Sequence, residues 1–229
     1  MKRNTSIAGT LALLLASAFA ASATDLTLYQ PAPGSKLRIE GTANVIHPVW
    51  YVDSSVGISG PLLVGPGFPT EPGQTVAPGK VEAQATNVYI HVSWLRSVEK
   101  DGKYYSDKMD EVMYDKLKKD KYPTIRYRLT ELTLKEAPKT KDAPYAFAAK
   151  GELTVAGVTK PVEFPVNILP HEGKKLEISG ATTLKMSDYD AGPVEKTIVG
   201  VGLKTGNEVK IAFTWKLAQR GAPRAPAAK

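Results

Sequence analysis

The sequence predicts an all-β protein: an eight-stranded antiparallel up-and-down barrel with one α-helix at about residues 107–120. Three observations carry this. Eight stretches alternate apolar and polar residues; one amphipathic segment has helical spacing; and no stretch beyond the first two dozen residues reaches transmembrane length. Alternation puts successive side chains on opposite faces, so each strand buries one face and wets the other, as antiparallel sheet does.

The first strand is read in "SKLRIEGTANVIH" (35–47), where Leu37, Ile39, Ala43 and Val45 share parity, and a weaker second in "VWYVDSSVGIS" (49–59). "VEAQATNVYIHVSW" (81–94) aligns Val88, Ile90, Val92 and Trp94. In "TIRYRLTELTL" (124–134) the apolar parity of Ile125, Tyr127 and Leu129 shifts at Leu132 and Leu134, which predicts a β-bulge. "YAFAAKGELTV" (145–155) carries Tyr145, Phe147, Ala149, Leu153 and Val155. Its return strand, from Val158, carries Val162, Phe164, Val166 and Ile168 after an Ala156-Gly157 loop suited to a type I′ turn. The last two are "KLEISGATTLKM" (175–186), with Leu176, Ile178, Leu184 and Met186, and "NEVKIAFTWKL" (207–217), with Val209, Ile211, Phe213, Trp215 and Leu217.

The helix rests on Met109, Val112, Met113 and Leu117, which fall on one face. Asp107, Asp110 and Glu111 load its first turn and Lys116, Lys118 and Lys119 its last, both favourable to the helix dipole, and Pro123 stops it. Residues 60–79 hold five Gly and five Pro and are read as a loop rather than a strand. The last residues, 218–229, are too poor in apolar side chains to pack and are read as a disordered tail.

At the other end Lys2 and Arg3 precede an apolar run, Ile7 to Phe19, that is too short to span a bilayer, followed by "ASA" at 21–23. This is the pattern of a secretory signal peptide, 1–23, cleaved near Ala23, and it places the mature domain, 24–217, in the periplasm or outside the cell. Removing the segment leaves 28 basic against 23 acidic groups, a net +5. The chain has no cysteine, so disulfides, thiol nucleophiles and thiolate metal sites are excluded. The basic charge invites nucleic acid as a partner; the export signal argues against it. Eight sequential strands close into a barrel or stack as a sandwich, and a barrel of this size is either filled by side chains or holds one small ligand.

Four segments in order, "MDEVMYDKLKKDKYPTIRYRLTEL", "GELTVAGVTKPVEFPV", "ISGATTLKMSDYD" and "GNEVKIAFTWKL", resemble the YceI-like family. The resemblance covers most of residues 81–217, and its most specific parts are Gly157-Val-Thr-Lys-Pro161 and Lys121-Tyr-Pro-Thr-Ile125. Upstream, "KLRIEGTANVIHPVW" departs from the family's Tyr-x-x-Asp-x-x-His-Ser-like opening strand. The resemblance implies an exported, lipocalin-like barrel that binds an isoprenoid or other long amphiphilic lipid, with no cofactor and no catalysis.

On that basis the inward row becomes a ligand wall: Val88, Ile90, Tyr127, Phe147, Leu153, Phe164, Val166, Leu184, Ile211, Phe213 and Trp215, with Met109 and Met113 as adaptable contacts from the helix. Lys160, at the hairpin end of the row, is either a snorkelling surface lysine or the partner of an anionic headgroup. "KLKKDK" (116–121) is most simply a solvated face that also suits transient contact with anionic membrane surfaces. His47, His91 and His171 lack metal-ligand spacing, and Asp188 and Asp190 fit a turn better than an acid–base pair. Two readings stand beside lipid binding: a non-catalytic adaptor with a filled barrel that presents its 60–79 loop to a partner, and, ranked last, an enzyme acting on a lipid.

Overall fold

A computed structural model describes residues 26–44, 48–198 and 201–219. The signal segment, His47, and residues 220–229 of the expected tail lie outside the described residues.

The strands are β1 (Thr27–Pro31), β2 (Lys36–Ala43), β3 (Val49–Ser54), β4 (Leu62–Val64), β5 (Gly79–Val81), β6 (Ala83–Gln84), β7 (Val88–His91), β8 (Leu95–Val98), β9 (Thr124–Glu136), β10 (Tyr145–Val155), β11 (Val158–His171), β12 (Lys175–Lys185), β13 (Glu195–Ile198) and β14 (Val201–Gln219). The helix α1 spans Asp107–Lys116, between β8 and β9. Antiparallel pairing runs β9-β10-β11-β12-β14, and β14 then divides its far edge between two partners. Its C-terminal part pairs β1, which leads on to β4 and β6; its N-terminal part pairs β2, which leads on to β3 and β8. On the opposite side β5 and β7 pair β9, and Leu129 N donates to Ala85 O beside β6. A bridge between Ser59 and Tyr89 helps draw the two arms together into a nearly closed barrel.

The long strands match the alternation closely. β10 and β11 pair through Val155↔Val158, and both turn residues have positive φ, 48° at Ala156 and 86° at Gly157, as a type I′ turn requires. The bulge falls where parity shifts: Gly151 pairs Leu129 and Lys150 pairs Glu131, leaving Thr130 as the extra residue. β14 runs two residues beyond Leu217.

Three expectations are corrected. The chain forms more strands than eight, because short segments of two to five residues complete the wall. The 60–79 segment contains β4 and ends on β5, and it buries Leu62, Val64, Phe68 and Val76 in the barrel core. Its glycines and prolines make the turns, while its few large apolar residues form a plug. The helix stops at Lys116, not near residue 120, because Lys118 takes a left-handed φ of 53°.

The helix is tied to the wall by Asp110, which is 2% exposed. Its carboxylate accepts from Ser97 N at 2.6 Å, Arg96 Nη1 at 3.0 Å and Tyr104 Oη at 3.3 Å. Burying a carboxylate is tolerable only with such partners. α1 is thereby held against β8 at one end of the barrel.

Candidate functional site

Burial along the inward row divides the barrel into two zones. On β10, Tyr145 and Phe147 are 0% and 2% exposed, whereas Leu153 and Val155 are only half-buried. On β14, Leu217 is fully buried while Phe213 and Ile211 are half-buried. The buried zone is the plug: the Phe68 ring stacks on Phe147 with centroids 6.3 Å apart, and Tyr145 Oη donates to Gln74 O.

A cavity of about 590 Å³ reaches from the barrel interior to the helix end. Of the residues expected to form a ligand wall, Val88, Ile90, Tyr127, Leu153, Phe164, Val166, Leu184, Ile211, Phe213 and Trp215 line it, as do Met109 and Met113 from α1. Two do not. Phe147 has the right parity but sits at the plugged end. Lys160 pairs Leu153 across the hairpin, yet its side chain is exposed and stands outside the cavity, as its strongly hydrated ammonium favours.

Glycines open the lumen. Gly151 and Gly180 share the inward parity of their strands. A Cβ at Gly151 would lie 2.5 Å from the Tyr127 ring and from Arg128 O; one at Gly180 would lie 2.8 Å from the Phe213 ring. Each missing side chain lets a ring lie against the wall instead of standing across the space. Phe164 bridges the two rings, with centroids 5.6 Å from Tyr127 and 6.0 Å from Phe213.

Cavity residues missed by the sequence pattern include Tyr189, Ala191 and Val194, between the long strands, and Leu203, in the N-terminal part of β14. Tyr189 belongs to a 3-10 turn, Met186–Tyr189, and Asp190 follows it at a left-handed φ of 52°, in keeping with the turn role read for Asp188 and Asp190. Lys118 beyond α1 donates to the Asp190 carboxylate, which links the two elements at this end. Charged groups gather here as well: Lys116 and Lys185 line the cavity, and among the described residues neither forms an ion pair, although the Lys116 charge also acts on Asp190.

The hydrogen bond and charge of Lys118 hold the Asp190 carboxyl below its ordinary range. A depressed folded value stabilises the link fully above the unfolded aspartate pKa of about 3.9, and the gain is lost as pH falls through the folded value. The expected result is a low titration midpoint for Asp190 by carboxyl-carbon NMR, raised toward the ordinary range by Lys118→Met. An unchanged midpoint in the variant would assign the depression to another cause.

Two residues of the lining, Tyr127 and Trp215, bury their hydroxyl and indole nitrogen in the wall without a hydrogen-bond partner among the described residues. Burial pushes the Tyr127 phenol pKa well above its ordinary value, so it stays protonated and able to donate. Ser97 Oγ, by contrast, donates to Ser106 O, and Thr205 Oγ1 accepts from Val194 N. No group of acidic or histidine side chains with metal-ligand geometry occurs among the described residues.

Comparison with known proteins agrees with this architecture. BcnA of Burkholderia cenocepacia superposes with a TM-score of 0.54 at 17% identity, over 80% of this chain and 95% of that one. A polyisoprenoid binding domain from Saccharophagus degradans, implicated in plant cell wall breakdown, superposes at 0.53 and 12% identity, over 85% and 99%. Identities this low show the fold alone. No curated protein matches the chain. The model of the YceI-like domain matches residues 67–217, from the plug through the last strand, and the chain therefore belongs to the YceI-like family.

Proposed function

We propose that the protein is an exported carrier or sequestering protein that holds an isoprenoid-type or other long-chain amphiphile in its barrel. The observation that carries this reading is the apolar cavity itself. Its volume of about 590 Å³ falls within the range of small-molecule sites, about 300–1,000 Å³. Apolar burial at about 25 cal/mol per Å² of surface would retain a hydrocarbon tail in it. The polyisoprenoid binding domain with the same fold supports the choice of ligand class.

The headgroup is expected at the helix end, where Lys116 and Lys185 replace Lys160 as cations beside the cavity. Export is supported by the leader pattern and by family membership. Among the described residues no helix is long and apolar enough to cross a membrane, which says nothing of a β-barrel. A filled-barrel adaptor is disfavoured by the open lumen, and the 60–79 segment it would present is partly buried as the plug.

Titration with fluorescent prenyl alcohol and prenyl pyrophosphate probes tests the reading. The wild type is expected to take up both. Combined Lys116→Met and Lys185→Met substitutions should lower pyrophosphate affinity relative to the alcohol by about 1 kcal/mol, the upper end for exposed ion pairs. Failure of the wild type to bind either probe would overturn the carrier reading.

A further inference from the structure

We infer that the barrel measures its ligand: the apolar tail it takes has about 15–20 carbon atoms, a limit set by the plug and the packed layer around it. The inference rests on the carrier reading and narrows it, from any long-chain amphiphile to one whose tail ends inside the barrel.

The cavity stops at one level around the wall. On β9 and β10 the paired residues Leu132 and Ala149 line it, whereas the next inward pair, Leu134 and Phe147, does not. On β12 and β14 the pair Ile178 and Trp215 lines it, and the next inward pair, Leu176 and Leu217, does not. All four residues of that second layer are only 1% or 2% exposed. The plug backs the layer through Phe68, stacked on Phe147, while its Leu62 lines the cavity. A tail entering from the helix end therefore meets packed side chains at this level.

Depth and volume give the same limit. The lining extends over six residue steps on each of three strands, from Ala149 to Val155, Ile178 to Leu184 and Trp215 to Val209. At about 3.3 Å per residue and a barrel tilt of about 40°, that is a depth of about 15 Å. One bilayer leaflet, half of a hydrocarbon core about 30 Å thick, has the same depth. The fitting tail is thus the size of a membrane lipid's acyl chain. A carbon of such a chain fills about as much space as a water molecule, about 30 Å³, so about 590 Å³ holds about 20 of them. An isoprenoid of about three or four units fits within this limit. A chain twice as long leaves its surplus carbons in water, where they add nothing to retention.

The experiment uses the mature protein loaded with the fluorescent prenyl alcohol. Competitors are geranyl, farnesyl, geranylgeranyl, hexaprenyl and nonaprenyl pyrophosphates, which share one headgroup and differ in tail length. Each unit added up to geranylgeranyl is expected to improve displacement at least about tenfold. The whole step from geranylgeranyl to nonaprenyl should add less than about threefold, because no further carbon is buried. Ala149→Leu, which raises the floor, should bring the preference for geranylgeranyl over farnesyl close to one. Ile178→Phe tests the same floor from β12. A rise that continues unbroken through nonaprenyl, with the probe bound, would overturn the limit and leave the carrier reading standing. A plateau that stays at geranylgeranyl in both folded variants would also overturn it. Absence of probe binding to the wild type would instead sink the carrier reading, and this inference with it.

Discussion

Val166→Trp is expected to abolish uptake of a prenyl probe while leaving the melting temperature nearly unchanged. Val166 sits mid-strand on β11, 4% exposed, opposite Gly180 on β12 and on the cavity wall. In a close-packed core an indole at this position would overpack and typically cost about 1–3 kcal/mol of stability. Here the added volume has a cavity of about 590 Å³ to enter, and it occupies the space a tail would use. Thermal unfolding and probe titration on the same preparations decide the matter. A variant that melts well below wild type, together with a wild type that takes up no probe, would show a filled barrel.

The long strands were legible because alternation over eleven or more residues leaves little freedom of register, and the parity slip at Thr130 was legible for the same reason. β1, β4, β6 and β13 were not, since two to five residues carry no period. Proline and glycine in 60–79 correctly announced turns but hid the role of the segment. Leu62, Val64, Phe68 and Val76, too apolar for a solvated loop, were the available signal for a plug. At the site, parity identified which face looks inward but not how far along the axis each residue lies. Phe147 and Phe164 share inward parity on adjacent strands, yet one stacks in the plug and the other lines the cavity. The openness of the lumen depends on what is missing at Gly151 and Gly180, which an apolar-residue pattern does not register. The unmet donors were likewise invisible: Tyr127 and Trp215 read as two more aromatic members of an apolar row until their polar atoms were found without partners.

Phe147→Ala is the counterpart of Val166→Trp, and the largest loss of stability expected of any change considered. Phe147 is 2% exposed, stacked on Phe68 from the plug, and its Cα lies opposite Val166 and Leu134 on the neighbouring strands. Removing a ring from such a site forfeits its transfer free energy and leaves a void, about 3–5 kcal/mol for Phe→Ala. Against a typical domain stability of about 5–15 kcal/mol, that removes about a fifth of the total or more. The void would open beside Phe68, Leu134 and Tyr145, which are held by the segment that closes this end and by β9 and β10. Collapse around it is therefore limited, which favours the upper part of the range. Chemical denaturation should show the loss as a lower midpoint with little change in slope. Probe uptake by the folded fraction should persist, because Phe147 lies outside the cavity lining. The reverse outcome, with stability kept and uptake lost, would return Phe147 to the lumen wall where its parity alone had put it. Together the two substitutions separate a structural end of the barrel from a binding end, although both change an inward-facing residue on neighbouring strands at directly paired positions.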